Sequence, residues 1–328
     1  MNALLRRLEK PVRDAFLKAI AEARTFAKIK ALADAVVTGD PAKILQAAGI
    51  REGMYSATSE SLRAAYMEGG TMTMATELSK NIAMSFDITN PRAEAWLRNT
   101  ALERVQSLKA TQERAIQVIL RDGMARGSNP TTTALDIAGR ISKTGRRSGG
   151  VLGLTDHQAD IVTNMRKDLR NLDWQSYKSR RLRDRRFDSV VKKAIKDGKP
   201  LPAKIENKIV DRYSDRWLKH RADTLSRTET LKAINASADE AMNQVVEQGL
   251  APRHAVHRIW RHSYSRNERE GHVMMNGQVR GLDEPFVNPL TQASLMYPGD
   301  PTAGAAEVVN CRCFVEHTID FVAVENVA

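Results

Sequence analysis

The stretch from Tyr297 to Cys313 constrains the chain more than any other. Its seventeen residues, Tyr-Pro-Gly-Asp-Pro-Thr-Ala-Gly-Ala-Ala-Glu-Val-Val-Asn-Cys-Arg-Cys, hold two prolines, two glycines and both cysteines of the protein. Proline removes a backbone donor and glycine favours turns, so the segment cannot continue a long helix. It reads as a turn-rich loop that runs into a β-prone segment, with a final strand over residues 308–315.

Ahead of residue 250 the pattern is helical almost throughout. Leu4, Leu5, Leu8, Val12, Phe16 and Ile20 recur at steps of three and four, which places them on one helix face. Thr38-Gly39-Asp40-Pro41 reads as a stop and a restart: Gly39 closes one helix, Asp40 caps the next and Pro41 takes its first turn. Residues 51–86 continue as helix with a break expected at Gly69-Gly70, and Asn90-Pro91 opens a helix reaching about residue 121. A short helix with threonines available as caps follows at 131–141, and the Gly-rich run at 143–155 is the expected linker. A long helix spans about 203–248.

The last third changes period. Residues 255–264 alternate around Val256, Arg258 and Trp260 as a strand does, with a short helix and turn at 269–277 and a further strand at 279–282. The fold class expected is mainly α with a C-terminal α+β domain. A long helical N-terminal region (1–142) precedes a linker and basic helical segment (143–202). A compact domain with a small, mostly antiparallel sheet (203–328) ends the chain.

Lys and Arg outnumber Asp and Glu by 51 to 39, giving a net charge of +12. A surplus of that size favours anionic partners. It is densest at 177–199, where Arg180, Arg181, Arg183, Arg185, Arg186, Lys192 and Lys193 are candidates for contact with the phosphates of double-stranded DNA. The same run also suits a solvated, salt-bridged helix. It lacks the interleaved aromatics that stack single-stranded bases. No run of 18 apolar residues is present, so no membrane-spanning segment is expected, and the N-terminus lacks the apolar core of a secretory signal. Two cysteines spaced C-x-C suit a reducing compartment rather than a disulfide framework.

Taken in order, Ser226-Arg227-Thr-Glu229, Asn235, Trp260, Arg269-x-x-His272, Asn276-Gly277, Pro298-Gly-Asp300-Pro and Asn310-Cys311-Arg-Cys313 resemble the Mu F-like head morphogenesis proteins of tailed phages. The resemblance covers about residues 203–316, and the stretch 140–200 is similar to the segment that precedes that domain in many such proteins. That family often carries an aspartate shortly before the Arg-x-x-His, where this chain reads Ser265-Arg-Asn-Glu268. The resemblance implies a structural minor head protein, a component of the capsid present in few copies inside the virion head near the portal vertex. The host cytoplasm would be its place during assembly. The portal protein, other head proteins and packaged DNA are the implied partners, with roles in head assembly and DNA packaging or ejection. It does not imply catalysis.

Two site readings stand beside it. Cys311 and Cys313 on one strand face would bring both sulfurs to one ion, with His272, His262 or His317 completing a zinc site. The alternative is a buried thiol pair beside a turn, with no cofactor. Arg227, Glu229, Arg269 and His272 are expected to form a polar network that ties helix to sheet. A metal-dependent, nuclease-like enzyme using His272 and the cysteine pair is the competing function class.

Overall fold

The computed structural model describes residues 2–78, 84–142, 145–264 and 268–320. The start of the expected linker at Lys143-Thr144 and the Ser265-Arg-Asn run before Glu268 lie outside them.

The N-terminal elements are α1 (Asn2–Phe26), α2 (Ile29–Thr38), α3 (Pro41–Ala47), α4 (Ser56–Thr73), α5 (Pro91–Ala125) and α6 (Pro130–Ala138). A two-residue ladder, β1 (Arg140–Ile141) with β2 (Arg147–Ser148), leads to α7 (Asp156–Arg170), α8 (Trp174–Ser179) and α9 (Asp188–Lys196). The 45-residue α10 (Ala203–Glu247) is unbroken. The C-terminal part holds β3 (Val256–Arg261), α11 (Glu270–Met274), β4 (Val279–Gly281), β5 (Phe286–Val287), β6 (Ser294–Leu295), α12 (Ala305–Val308) and β7 (Phe314–Ile319). The chain is thus mainly helical with small antiparallel sheets near its C-terminus, as expected.

Several local expectations hold for the stated reasons. Gly39 is left-handed at φ 67° behind α2, and the Asp40 carboxylate accepts from the backbone N–H of Ala42 and Lys43 at the start of α3. Others are corrected. α4 runs straight through Gly69-Gly70 because the glycines serve close packing. A Cβ on Gly69 would sit 2.9 Å from the Ile234 Cα, and one on Gly70 would strike the Phe86 ring. α6 is capped by Asn129, whose side chain accepts from Thr132 N, rather than by a threonine. The basic run at 177–199 is not one helix: Leu182 adopts φ 66°, and Asp184 caps a separate turn, Arg185–Phe187, ahead of α9.

Two compact units divide the chain. One comprises residues 1–15, 56–102 and 223–328; the other comprises 16–55 and 103–222. These bounds differ from sequential divisions at 142 and 202, because α1, α5 and α10 each contribute residues to both.

In the first unit β3 is central, in the order β4-β3-β7 with both pairings antiparallel. Its alternation puts Val256, Arg258 and Trp260 on the fully buried face. Trp260 joins Leu5, Tyr66, Leu231, Ile234, Phe286 and Val315 in one core cluster, and Val256 joins Met242, Val245 and Leu282 in another. In the second unit the expected linker is interior structure. Gly149 and Gly150 take φ 74° and 69°, and Val151, Leu152 and Leu154 are buried. A Cβ on Gly149 would strike the Asp211 side chain, so only glycine allows this loop its path.

Candidate functional site

Residues 297–313 form a bracket over α10. Asp300 caps a short turn, Pro301–Ala303, accepting from Thr302 N at 3.0 Å and from Met296 N at 2.8 Å. Gly299 is left-handed at φ 93°, and a side chain there would press on the Lys232 backbone, with a Cβ 3.3 Å from its Cα. Asn235 on α10 donates from Nδ2 to the Pro298 carbonyl at 3.0 Å and accepts from Val315 N at 3.3 Å. One helix side chain therefore ties the loop to β7.

The final strand starts at Phe314, not at 308. Gly304 opens α12 instead, and Asn310 turns the chain at φ 60°. Asn310 tolerates that conformation because its polar groups are engaged. Its Oδ1 accepts from Arg227 at 2.9 Å and its N–H donates to Thr228 Oγ1 at 3.1 Å. Arg227 also pairs with Glu9 at 3.7 Å.

The cysteines therefore lie in the turn before the strand, and the same-face strand argument does not apply. The turn nevertheless brings both to one imidazole. His272 on α11 has Nδ1 at 3.5 Å from Cys311 Sγ and 3.7 Å from Cys313 Sγ, and all three residues are buried. One donor atom from each residue falls within 4.8 Å of the other two. On its other side, His272 Nε2 meets Glu307 Oε2 at 2.8 Å. Glu307 also accepts from Asn288 at 3.0 Å and from Thr291 at 2.8 Å. Trp260 stands edge-on to the imidazole with centroids 5.3 Å apart.

Electrostatics follow from these contacts. Hydrogen bonding to Cys313 and to His272 holds the Cys311 thiol well below its ordinary range, and burial opposes it. Hydrogen bonding to Cys311, with burial, pushes Cys313 up. Burial disfavours the charged imidazole, yet Cys311 and Glu307 together raise His272 above its ordinary value. Soft sulfurs and an imidazole nitrogen converging on one point are the donor set of thiophilic metal sites.

The other expected residues fall around this centre. Arg269 donates to the carbonyls of Ala306 at 2.7 Å and Val309 at 2.5 Å, clamping α12. Gly277 takes φ 85° and donates to the Trp260 carbonyl at 2.8 Å. Arg227, Arg269 and His272 thus converge on residues 306–313, and Glu229 is buried on α10. His317 belongs to a different buried set, with Nε2 at 2.7 Å from Asp239 Oδ1. Asp239 also pairs with Arg258 at 2.8 Å. His262 is not in the three-residue cluster among the described residues.

Sequence reasoning missed Glu307, Asn288, Thr291 and Asp239. Glu307 stands one residue ahead of the expected strand, where nothing marks it as a partner of His272. Asp239 carried only its helical position. Arg258 did carry a signal, since the alternation with Val256 and Trp260 placed a charge on the buried face.

The basic segment divides in two. Arg180 pairs with Asp168 at 2.6 Å, Arg183 with Asp188 at 3.1 Å and Arg186 with Asp184 at 2.6 Å. Arg181, Arg185, Lys192 and Lys193 are exposed and carry no ion pair among the described residues.

A family model described as "Phage Mu protein F like protein" matches residues 114–316. The match takes in the 140–200 stretch as well as residues 203–316, and it begins ahead of both. The chain is also 31% identical over 137 residues to "Uncharacterized protein YqbB" of Bacillus subtilis (strain 168). That alignment covers 40% of this chain and 41% of the relative, so the chain spans about two fifths of the curated relative it matches. No solved structure matches the chain.

Proposed function

The chain belongs to the Phage Mu protein F like family, a phage head morphogenesis family, and from that premise we propose that it is a structural minor head protein of a tailed phage. It is present in few copies inside the virion near the portal vertex, and it resides in the host cytoplasm while heads assemble. It contacts the portal protein and other head proteins, and it assists packaging or ejection of DNA through sequence-independent contacts.

The family match over most of the chain carries this reading. The charge of +12 and the exposed Arg181, Arg185, Lys192 and Lys193, which carry no ion pair among the described residues, support the DNA contact, which needs phosphate neutralisation and no base readout. Burial of His272, Cys311 and Cys313 favours a structural role over a nuclease-like one, because a hydrolytic centre must admit a scissile phosphate.

Quantitative mass spectrometry on intact particles and on particles emptied of DNA, with labelled-antibody microscopy of the heads, tests the proposal. A few copies per particle and label at a single vertex are expected. Absence from purified particles, or labelling spread over the whole shell, overturns it. Incubation with plasmid and Mg²⁺ or Mn²⁺ is expected to leave the plasmid intact.

A further inference from the structure

We propose that His272, Cys311 and Cys313 bind a zinc ion that pins α11 and the 305–313 turn to the start of β7.

The distances carry the argument first. With zinc–sulfur bonds of about 2.3 Å and zinc–nitrogen bonds of about 2.0–2.1 Å, tetrahedral geometry separates a bound sulfur from a bound nitrogen by about 3.5 Å. His272 Nδ1 stands 3.5 Å from one sulfur and 3.7 Å from the other. The pair sits on either side of Arg312 in a turn whose path is set by the left-handed Asn310, so its position is not an accident of strand pleat.

The surroundings carry it further. A zinc-bound histidine commonly donates its second ring nitrogen to a carboxylate, which fixes the tautomer and the ring orientation. Glu307 is placed as that acceptor at Nε2, and is itself held by Asn288 and Thr291. With Nε2 carrying the proton, Nδ1 is free to give its lone pair to an ion shared with the two sulfurs. The Arg269 bonds to the Ala306 and Val309 carbonyls hold the turn in register with α11. A plain core histidine beside two thiols needs no such graded support.

Among the described residues no fourth His, Cys, Asp or Glu joins the set. Three protein donors therefore leave one tetrahedral position for a ligand from outside it. Nothing in this inference depends on where the protein sits in the virion.

The test uses the full chain, produced without a histidine tag, purified anaerobically and analysed for metals. About one zinc per chain is expected. Replacement by Co²⁺ should give thiolate charge-transfer absorption and the intense visible bands of a four-coordinate ion. Cys311→Ser and Cys313→Ser should each abolish the charge-transfer signature or halve it. Glu307→Gln keeps all three donors and should bind zinc 10–100-fold more weakly, which covers the case where a ligand variant fails to fold. The proposal falls if the folded chain takes up no zinc from an excess while both thiols remain free to a thiol reagent. It falls equally if the anaerobically prepared chain holds a Cys311–Cys313 disulfide. Stoichiometric binding of a different thiophilic ion upholds the site and overturns its assignment to zinc.

Discussion

His272 and Glu307 meet through Nε2 and Oε2 at 2.8 Å, with both side chains buried. Hydrogen bonds from Thr291, His272 and Asn288 outweigh burial and hold the Glu307 carboxyl below its ordinary range. Glu307→Ala would leave two buried groups, on His272 and Asn288, and the exposed Thr291 hydroxyl without their acceptor, at about 1–3 kcal/mol for each buried unsatisfied group. We expect a loss of about 3 kcal/mol in urea unfolding, with Glu307→Gln losing less than half of that. An alanine variant within about 0.5 kcal/mol of wild type would show that Glu307 does not organise the site.

How much of this was legible in the sequence can be judged residue by residue. The helical arm was legible because Leu4, Leu5 and Leu8 keep a 3.6-residue period, and β3 because Val256, Arg258 and Trp260 alternate. Gly69-Gly70 misled because glycine signals a helix break and close helix packing with the same letter; Ile234 and Ser237 decide between them at Gly69, and Phe86 does so at Gly70. The cysteines do lie beside His272, but through a turn rather than a shared strand face. A single left-handed residue, Asn310, delays the strand, and propensity does not reveal it.

Arg258 is fully buried on β3 and pairs with Asp239, while its remaining N–H groups donate to the carbonyls of Gly281, Glu284 and Met296. Removing one partner of a buried pair costs about 3–5 kcal/mol, since the other charge stays uncompensated. Asp239→Ala should therefore destabilise the protein by about that amount and also free His317. Asp239→Asn, which can still accept from Arg258, should cost distinctly less. Equal losses for the two variants in guanidinium unfolding would contradict a role for the charge.

A glycine-to-alanine change inside a helix ordinarily stabilises by about 0.5–1 kcal/mol. At Gly69 the sign should invert. The new methyl would strike Ser237 Oγ and sit 2.9 Å from the Ile234 backbone, so overpacking of about 1–3 kcal/mol is expected. Combining Gly69→Ala with Ser237→Ala should recover only part of the loss, because the Ile234 backbone contact remains. A stabilised Gly69→Ala variant, judged by thermal unfolding, would remove the close-packing explanation for this glycine.

Burial pushes the Asp211 carboxyl up to about 6, against the opposing pull of Arg140 and Arg166. Its native state thus holds a proton between about pH 4 and pH 6 that the unfolded chain has released. The stability it contributes is complete below about pH 4 and is lost as pH rises through 6. Asp136 has the opposite sign. Burial would raise it, but Arg166, Arg140 and Arg126 hold it below its ordinary value, so its contribution is lost on acidification. Relative to wild type, Asp211→Asn should gain about 2 kcal/mol between pH 4 and pH 7, and Asp136→Asn should lose stability at neutral pH. Urea midpoints across that range, parallel for wild type and Asp211→Asn, would contradict the shift.

The division within the basic segment makes the DNA contact testable. Arg180 is engaged with Asp168 through two hydrogen bonds, 2.6 and 3.1 Å long, so its charge is already compensated. Arg181, Arg185, Lys192 and Lys193 are exposed and free to neutralise phosphates. Each phosphate neutralised on duplex DNA adds about 0.9 to the slope of log K against log salt. Replacing those four by alanine should lower the slope by about 2–4 and weaken binding equally for unrelated duplex sequences. Arg180→Ala should instead leave the slope nearly unchanged and lower stability, because Asp168 then stays buried without its partner. Fluorescence anisotropy on a labelled duplex across a salt series reads the slope, and circular dichroism under urea reads the stability. If the quadruple variant keeps the wild-type slope, the segment is a solvated surface and any DNA contact lies elsewhere on the chain.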